Sequence, residues 1–84
     1  MAVRVTIETA SKAEAERIAE LLAQDAKPES WRGFGVIRLG SRSEAETADV
    51  IEIVAAGVER HEVRWARVRY DDDERVFRAN GRRA

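Results

Sequence analysis

The chain has 84 residues, of which 44% are apolar and 37% charged, with a net charge of −1 and no cysteine. That length fits one domain with a marginal core, since a chain of this size buries only roughly 60–65% of its unfolded surface. The lack of cysteine excludes disulfides, thiolate zinc sites and a cysteine nucleophile, and the near-neutral charge argues against simple nonspecific DNA binding.

Val3, Val5 and Ile7 alternate with Arg4, Thr6 and Glu8, which predicts a strand with one buried face. The alternation leaves no apolar run of signal or membrane-spanning length. The expected setting is therefore the cytoplasm, without a membrane partner. Ser11-Lys12-Ala13-Glu14 reads as a capping box that opens a helix. Ala15, Ile18, Leu21 and Leu22 then recur at helical spacing, and the helix should stop near Asp25, ahead of Lys27-Pro28.

Residues 28–35 are the least regular stretch, with Trp31 and Phe34 set among Ser30, Gly33 and Gly35. Aromatics in such a loop are expected to fold back over the end of a small core, because a small domain benefits from burying every large apolar group. A partner pocket built on Trp31 and Phe34 is the second reading. Val36–Leu39 predicts a short strand closed by Gly40, and Ser41-Arg42-Ser43-Glu44 a second helix start. Thr47, Val50, Ile51, Val54, Ala55 and Val58 form an i, i+3, i+4, i+7 stripe along that helix. Gly57 either weakens it or lets its backbone approach the sheet.

The C-terminal part reads as two strands joined at Asp71-Asp72-Asp73. Ala66, Val68 and Tyr70 make one face of the first strand, and Trp65, Arg67 and Arg69 the other. The faces of the second strand stay open, with Val76 and Arg78 on one and Arg75, Phe77 and Ala79 on the other. Charge is concentrated here: residues 60–84 carry eight arginines against five acids, a balance of +3, whereas residues 1–59 stand at −4. The asymmetry points to a partner surface or to pairing between the two parts of one fold.

The expected fold is α+β: a two-layer sandwich in β-α-β-α-β-β order, a mixed four-stranded sheet with two helices packed on one face. Residues 1–80 form the single domain and 81–84 a flexible basic tail. The order is similar to that of small nucleic-acid-binding folds, among them the C-terminal domain of a translation initiation factor and an archaeal chromatin protein. That likeness is one of fold and assigns no function.

Catalytic patterns are weak. His61 is the sole histidine; the serines near it in type are explained as caps, and a helix-end position favourable to the dipole accounts for His61 itself. Asp71-Asp72-Asp73-Glu74 lacks the alternation and glycine of a calcium loop and reads as a solvated turn. Gly33-Phe34-Gly35 and Gly40-Ser41 lack the lysine and further glycines of a phosphate loop, although Arg38 and Arg42 flank the second. No metal, cofactor or enzymatic role is expected.

The hairpin face is the principal candidate. Trp65, Arg67 and Arg69 alternate on one side, and Arg4 and Arg38 extend the same surface across the sheet. Tryptophan and arginine are the enriched anchors of protein interfaces, so the first reading is a protein-interaction or self-associating module, with a protein partner or a second copy as ligand. Sheet faces with aromatics and arginines also stack bases and hold phosphates, so RNA or single-stranded nucleic acid is the alternative. A third reading is a solvated face whose arginines pair with Glu8, Glu74 and other acids.

Overall fold

The computed structural model describes residues 3–22 and 26–79. Seven elements follow in order: β1 (Val3–Thr9), α1 (Lys12–Leu22), β2 (Pro28–Trp31), β3 (Phe34–Arg42), α2 (Glu44–Glu59), β4 (Trp65–Tyr70) and β5 (Asp73–Arg78). The strands form one five-stranded sheet in the order β2-β3-β1-β4-β5, and every neighbouring pair is antiparallel.

This corrects the expected four-stranded mixed sheet. The extra strand is Pro28–Trp31, which pairs with Phe34–Ile37 through a two-residue turn. Both turn residues, Arg32 and Gly33, have positive φ, 52° and 87°. A tight hairpin needs that twist to match its strands, and glycine adopts it without strain while arginine does not. The added hairpin makes the order β-α-β-β-α-β-β and departs from the nucleic-acid-binding folds of similar order. No hydrogen-bonded neighbours are parallel, but β3 and β4 run in the same direction on either side of β1, as do β1 and β2 on either side of β3. So α2 and α1 each complete a split crossover, and both helices lie on one face as expected. The basic tail lies outside the described residues, as does the predicted helix stop at Asp25.

Alternation along β1 is realised as expected. Val5, Ile7 and Thr9 point to the helices and are fully buried. Ile37, Ile7 and Val68 form a row across β3, β1 and β4, against which Ile18 and Leu22 of α1 and Val50, Val54 and Val58 of α2 pack. Each such side chain contributes ~1.5–3 kcal/mol on burial. β3 runs past Gly40 to Arg42, because a bulge at Leu39-Gly40 takes up one residue opposite Val5 and Thr6. Leu39, the extra residue, stays in the core, and Gly40 has φ +73°. A bulge of this kind lets a strand bend without losing its buried side.

The helix starts differ. At α2 the Ser43 hydroxyl accepts the Glu46 N–H at 3.1 Å while the Glu46 carboxylate accepts the Ser43 N–H at 2.9 Å, a complete capping box. At α1 the Ser11 hydroxyl accepts the Glu14 N–H at 3.3 Å, but the Glu14 carboxylate reaches instead to Arg64, accepting from its backbone N–H and its Nε. Glu14 thus ties α1 to the start of β4. Ser41 lies within β3 and caps nothing. Gly57 serves helix–helix contact rather than the sheet, since a Cβ there would sit 3.1 Å from Leu21 Cδ1 and 3.4 Å from Ile18 Cδ1.

The phase of β5 is now settled. Phe77 stands opposite Ala66 on the helix side and packs against the core, whereas Val76 stands opposite Arg67 on the other side.

Candidate functional site

Both helices cover one face of the sheet and leave the other bare. Register places the outward side chains of that bare face in three cross-strand rows. At one end, Trp31 pairs with Phe34, and Trp65 with Arg78. The middle row runs Glu29, Val36, Glu8, Arg67, Val76 from β2 to β5. The third runs Arg38, Thr6, Arg69, Glu74 from β3 to β5.

The two candidate sites read separately from the sequence, Trp65-Arg67-Arg69 and Trp31-Phe34, therefore lie on one surface. Trp65 is half-buried and faces outward, with Ala66 and Val68 fully buried behind it, so the strand phase read from the sequence is correct. Phe34 and Trp65 meet edge to face across the end of β1, their centroids 6.1 Å apart at 62°. The expectation that Trp31 and Phe34 close the core is overturned: Trp31 is 57% and Phe34 44% exposed. They sit on the outward positions of β2 and β3, where no helix reaches. The Arg32 guanidinium lies 5.0 Å from the Trp31 ring centre, a cation–π arrangement that holds the indole at the hairpin tip.

The charged groups of this face are largely matched. Glu8 lies between two arginines, 3.1 Å from Arg67 Nη1 and 3.6 Å from Arg69 Nη1. Arg69 Nε is 3.9 Å from Glu74, and Arg38 pairs with Glu29 at 2.9 Å. The pairing of Arg67 and Arg69 with Glu8 and Glu74 is thus present, as the solvated-face reading expects. Arg4 is exposed at the far end of the face, where it lines a groove with Thr6, Arg69, Asp71 and Asp72. Arg67 Nε is buried without a hydrogen-bond partner among the described residues, a local cost of roughly 1–3 kcal/mol.

Sequence reasoning missed Glu29, Val36 and Val76 as members of this face. Glu29 and Val36 depend on recognising β2, and Trp31-Arg32-Gly33-Phe34 offered a faint turn signal without the usual Asn or Asp. Val76, 43% exposed, depends on the register of β5, which the alternation alone left open.

Elsewhere the polar groups serve the fold. His61 is exposed at φ 62°, with its N–H donated to the Val58 carbonyl, while Glu62 N–H bonds Gly57. It occupies the left-handed position that ends α2, a position usually held by glycine. Gly35 is a point of close approach, since a Cβ there would collide with the Ser11 carbonyl oxygen and the Thr9 hydroxyl. Hydrogen bonding and charge from Glu62 raise the Arg17 pKa. The Ser43 N–H and hydroxyl hold the Glu46 carboxyl below its ordinary range. Among the described residues there is no group of three or more His, Cys, Asp or Glu able to hold a metal ion, and no helix long and apolar enough to cross a membrane.

The chain matches no protein-family model, no curated protein and no solved structure.

Proposed function

We propose that the chain is a small non-enzymatic association module whose helix-free sheet face binds a protein partner. The observation that carries this reading is the aromatic end of the face, where Trp31, Phe34 and Trp65 stand together with Trp31 57% exposed. Contiguous exposed aromatics on a small domain mark interaction sites, and tryptophan and arginine are the usual anchors. Five strands about 4.8 Å apart and about six residues long give a footprint on the order of 400–500 Å². That is at the small end of specific interfaces, which suits a transient complex.

RNA binding through the same face is the second reading, favoured by the three ring faces available for stacking. Its weakness is electrostatic. Glu8, Glu29 and Glu74 already engage Arg67, Arg69 and Arg38, so a polyanion meets carboxylates as well as guanidinium groups.

The discriminating experiment compares the full chain with two variants, Trp31→Ala/Trp65→Ala on the open face and Glu52→Ala on α2. A specific protein partner should be lost from the first and kept by the second. A partner kept by both overturns the reading. Glu8→Gln separates the alternatives. Freeing Arg67 and Arg69 should strengthen any RNA binding at low salt without restoring partner capture to the open-face variant. Retention of single-stranded RNA by the unmodified chain, weakened by Arg67→Ala/Arg69→Ala, would transfer the assignment to nucleic acid.

A further inference from the structure

The sheet has two edges, and they differ. β2 is four residues long and begins with proline, both common ways of blunting an edge. β5 has six residues, no proline and no bulge, and among the described strands it pairs with β4 alone. Its side chains are exposed except for Phe77, which is half-buried.

Alternation of ladder bonds decides which groups of β5 face outward. The Ala79 N–H donates to Arg64 at 3.0 Å, so residues 73, 75, 77 and 79 turn their backbone groups toward β4. The N–H and C=O of Glu74, Val76 and Arg78 therefore point to the open edge. A second β5 running antiparallel can meet them on a two-fold axis at Val76. In that register Val76 faces its own copy, Glu74 faces Arg78 on both sides, and Arg75 faces Phe77. All three outward residues form hydrogen-bonded pairs, giving six backbone bonds across the axis.

The neighbouring registers are worse. Moving by two residues in one direction sets Arg75 against Arg75, and like charges directly opposite each other destabilise a pair. Moving by two in the other loses both ion pairs and sets Arg78 against Val76. Moving by one would put the helices of the two copies on opposite faces and the outward residues out of phase. The segment Glu74-Arg75-Val76-Phe77-Arg78 is thus complementary to itself in one antiparallel register. A groove of mixed polarity, lined by Val58, Phe77 and Ala79 together with Glu59, His61 and Arg78, runs beside this edge, so a second copy also covers part of that surface.

We infer that β5 pairs edge to edge with β5 of a second copy of this chain, giving a ten-stranded sheet with a two-fold axis through Val76. Isologous pairing of this kind uses one patch on both subunits. It leaves the aromatic end of the open face uncovered and does not depend on what binds there.

Sedimentation equilibrium with the full chain tests the inference. The unmodified chain should show a concentration-dependent dimer. Val76→Pro removes an N–H that points to the open edge and none that bonds β4, so it should give a monomer with unchanged circular dichroism. Glu74→Arg alone should raise the dimer dissociation constant about tenfold or more, because it sets arginine against Arg78 twice. Glu74→Arg combined with Arg78→Glu should restore it. Val76→Cys introduces the only cysteine, and mild oxidation should link the dimer, since hydrogen-bonded antiparallel residues lie about 5.5 Å apart. A chain that stays monomeric up to about 1 mM, a dimer that survives Val76→Pro, or a double charge exchange that fails to recover it overturns the inference. A dimer abolished by Trp31→Ala/Trp65→Ala but not by Val76→Pro assigns self-association to the face instead.

Discussion

The two faces of this sheet are built from the same strands, one residue out of step, and they carry different information. In β1, Val5, Ile7 and Thr9 are fully buried under the helices, while Arg4, Thr6 and Glu8 between them look outward. On the covered face almost every contact is apolar, and exclusion of water stabilises the fold. On the bare face the contacts are edge-to-face rings and ion pairs that remain open to solvent. Exposed ion pairs add little stability, typically under about 1 kcal/mol each. The covered face thus decides whether the chain folds, and the bare face decides what the folded chain touches.

The sharpest break in that comparison is at Gly35 and Phe34, adjacent residues on opposite faces of β3. A methyl group at Gly35 would press into the Ser11 carbonyl and the Thr9 hydroxyl and lie 2.7 Å from Ala15 Cβ. Two of those obstacles belong to backbone or to a buried side chain that is itself bonded, since the Thr9 hydroxyl donates to the Ser11 carbonyl at 2.7 Å. The helix must shift to make room. Gly35→Ala is expected to cost on the order of 4 kcal/mol or more, a large share of a marginal domain's stability. Urea unfolding should show a collapsed midpoint. A change under about 1 kcal/mol would mean that α1 tolerates displacement from β3.

Much of the covered face could be read in the sequence, and less of the bare one. Alternation in Val3–Glu8 and the stripe Thr47-Val50-Val54-Val58 state directly which side chains go inward, because period 2 and period 3.6 map onto faces. The phase of Trp65-Arg67-Arg69 followed in the same way. β2 was not legible: four residues are too few to display a period, and Arg32 at positive φ is a poor signature for a tight hairpin. Without β2, Trp31 and Phe34 looked like loop residues able to fold back. Once β2 is paired, their direction is fixed by register, and no helix lies on that side. The partner of Glu14 was equally hidden, since the capping pattern is local and Arg64 lies fifty positions away.

A smaller effect separates stability from association on the bare face itself. Phe34→Ala and Trp65→Ala should each cost about 1 kcal/mol of stability, far less than removal of a buried core residue such as Ile7, which is expected to cost about 2–5 kcal/mol. Their double-mutant cycle should return a coupling of about 0.5–1.5 kcal/mol for the edge-to-face pair. Both variants should remain folded while losing partner affinity. Zero coupling would remove the ring contact as an organising element of the site, and a loss comparable to Ile7→Ala would make these rings part of the core.

The smallest expected effect lies at the start of α2 and acts on the covered face alone. The Ser43 N–H, and then its hydroxyl, stabilise the ionised Glu46 and hold its pKa below the ordinary 4.5. A group whose pKa is lowered on folding contributes stability that is present above the unfolded value and lost as pH falls through the folded one. The stability difference between the unmodified chain and Glu46→Gln should therefore be constant near neutrality and vanish progressively below pH 4.5. Removing the cap hydroxyl with Ser43→Ala should cost ~1 kcal/mol at neutral pH. Neither change should alter partner binding, because α2 and the aromatic rings lie on opposite sides of the sheet. Altered binding at unchanged fold would show that the two faces are coupled through the strands between them.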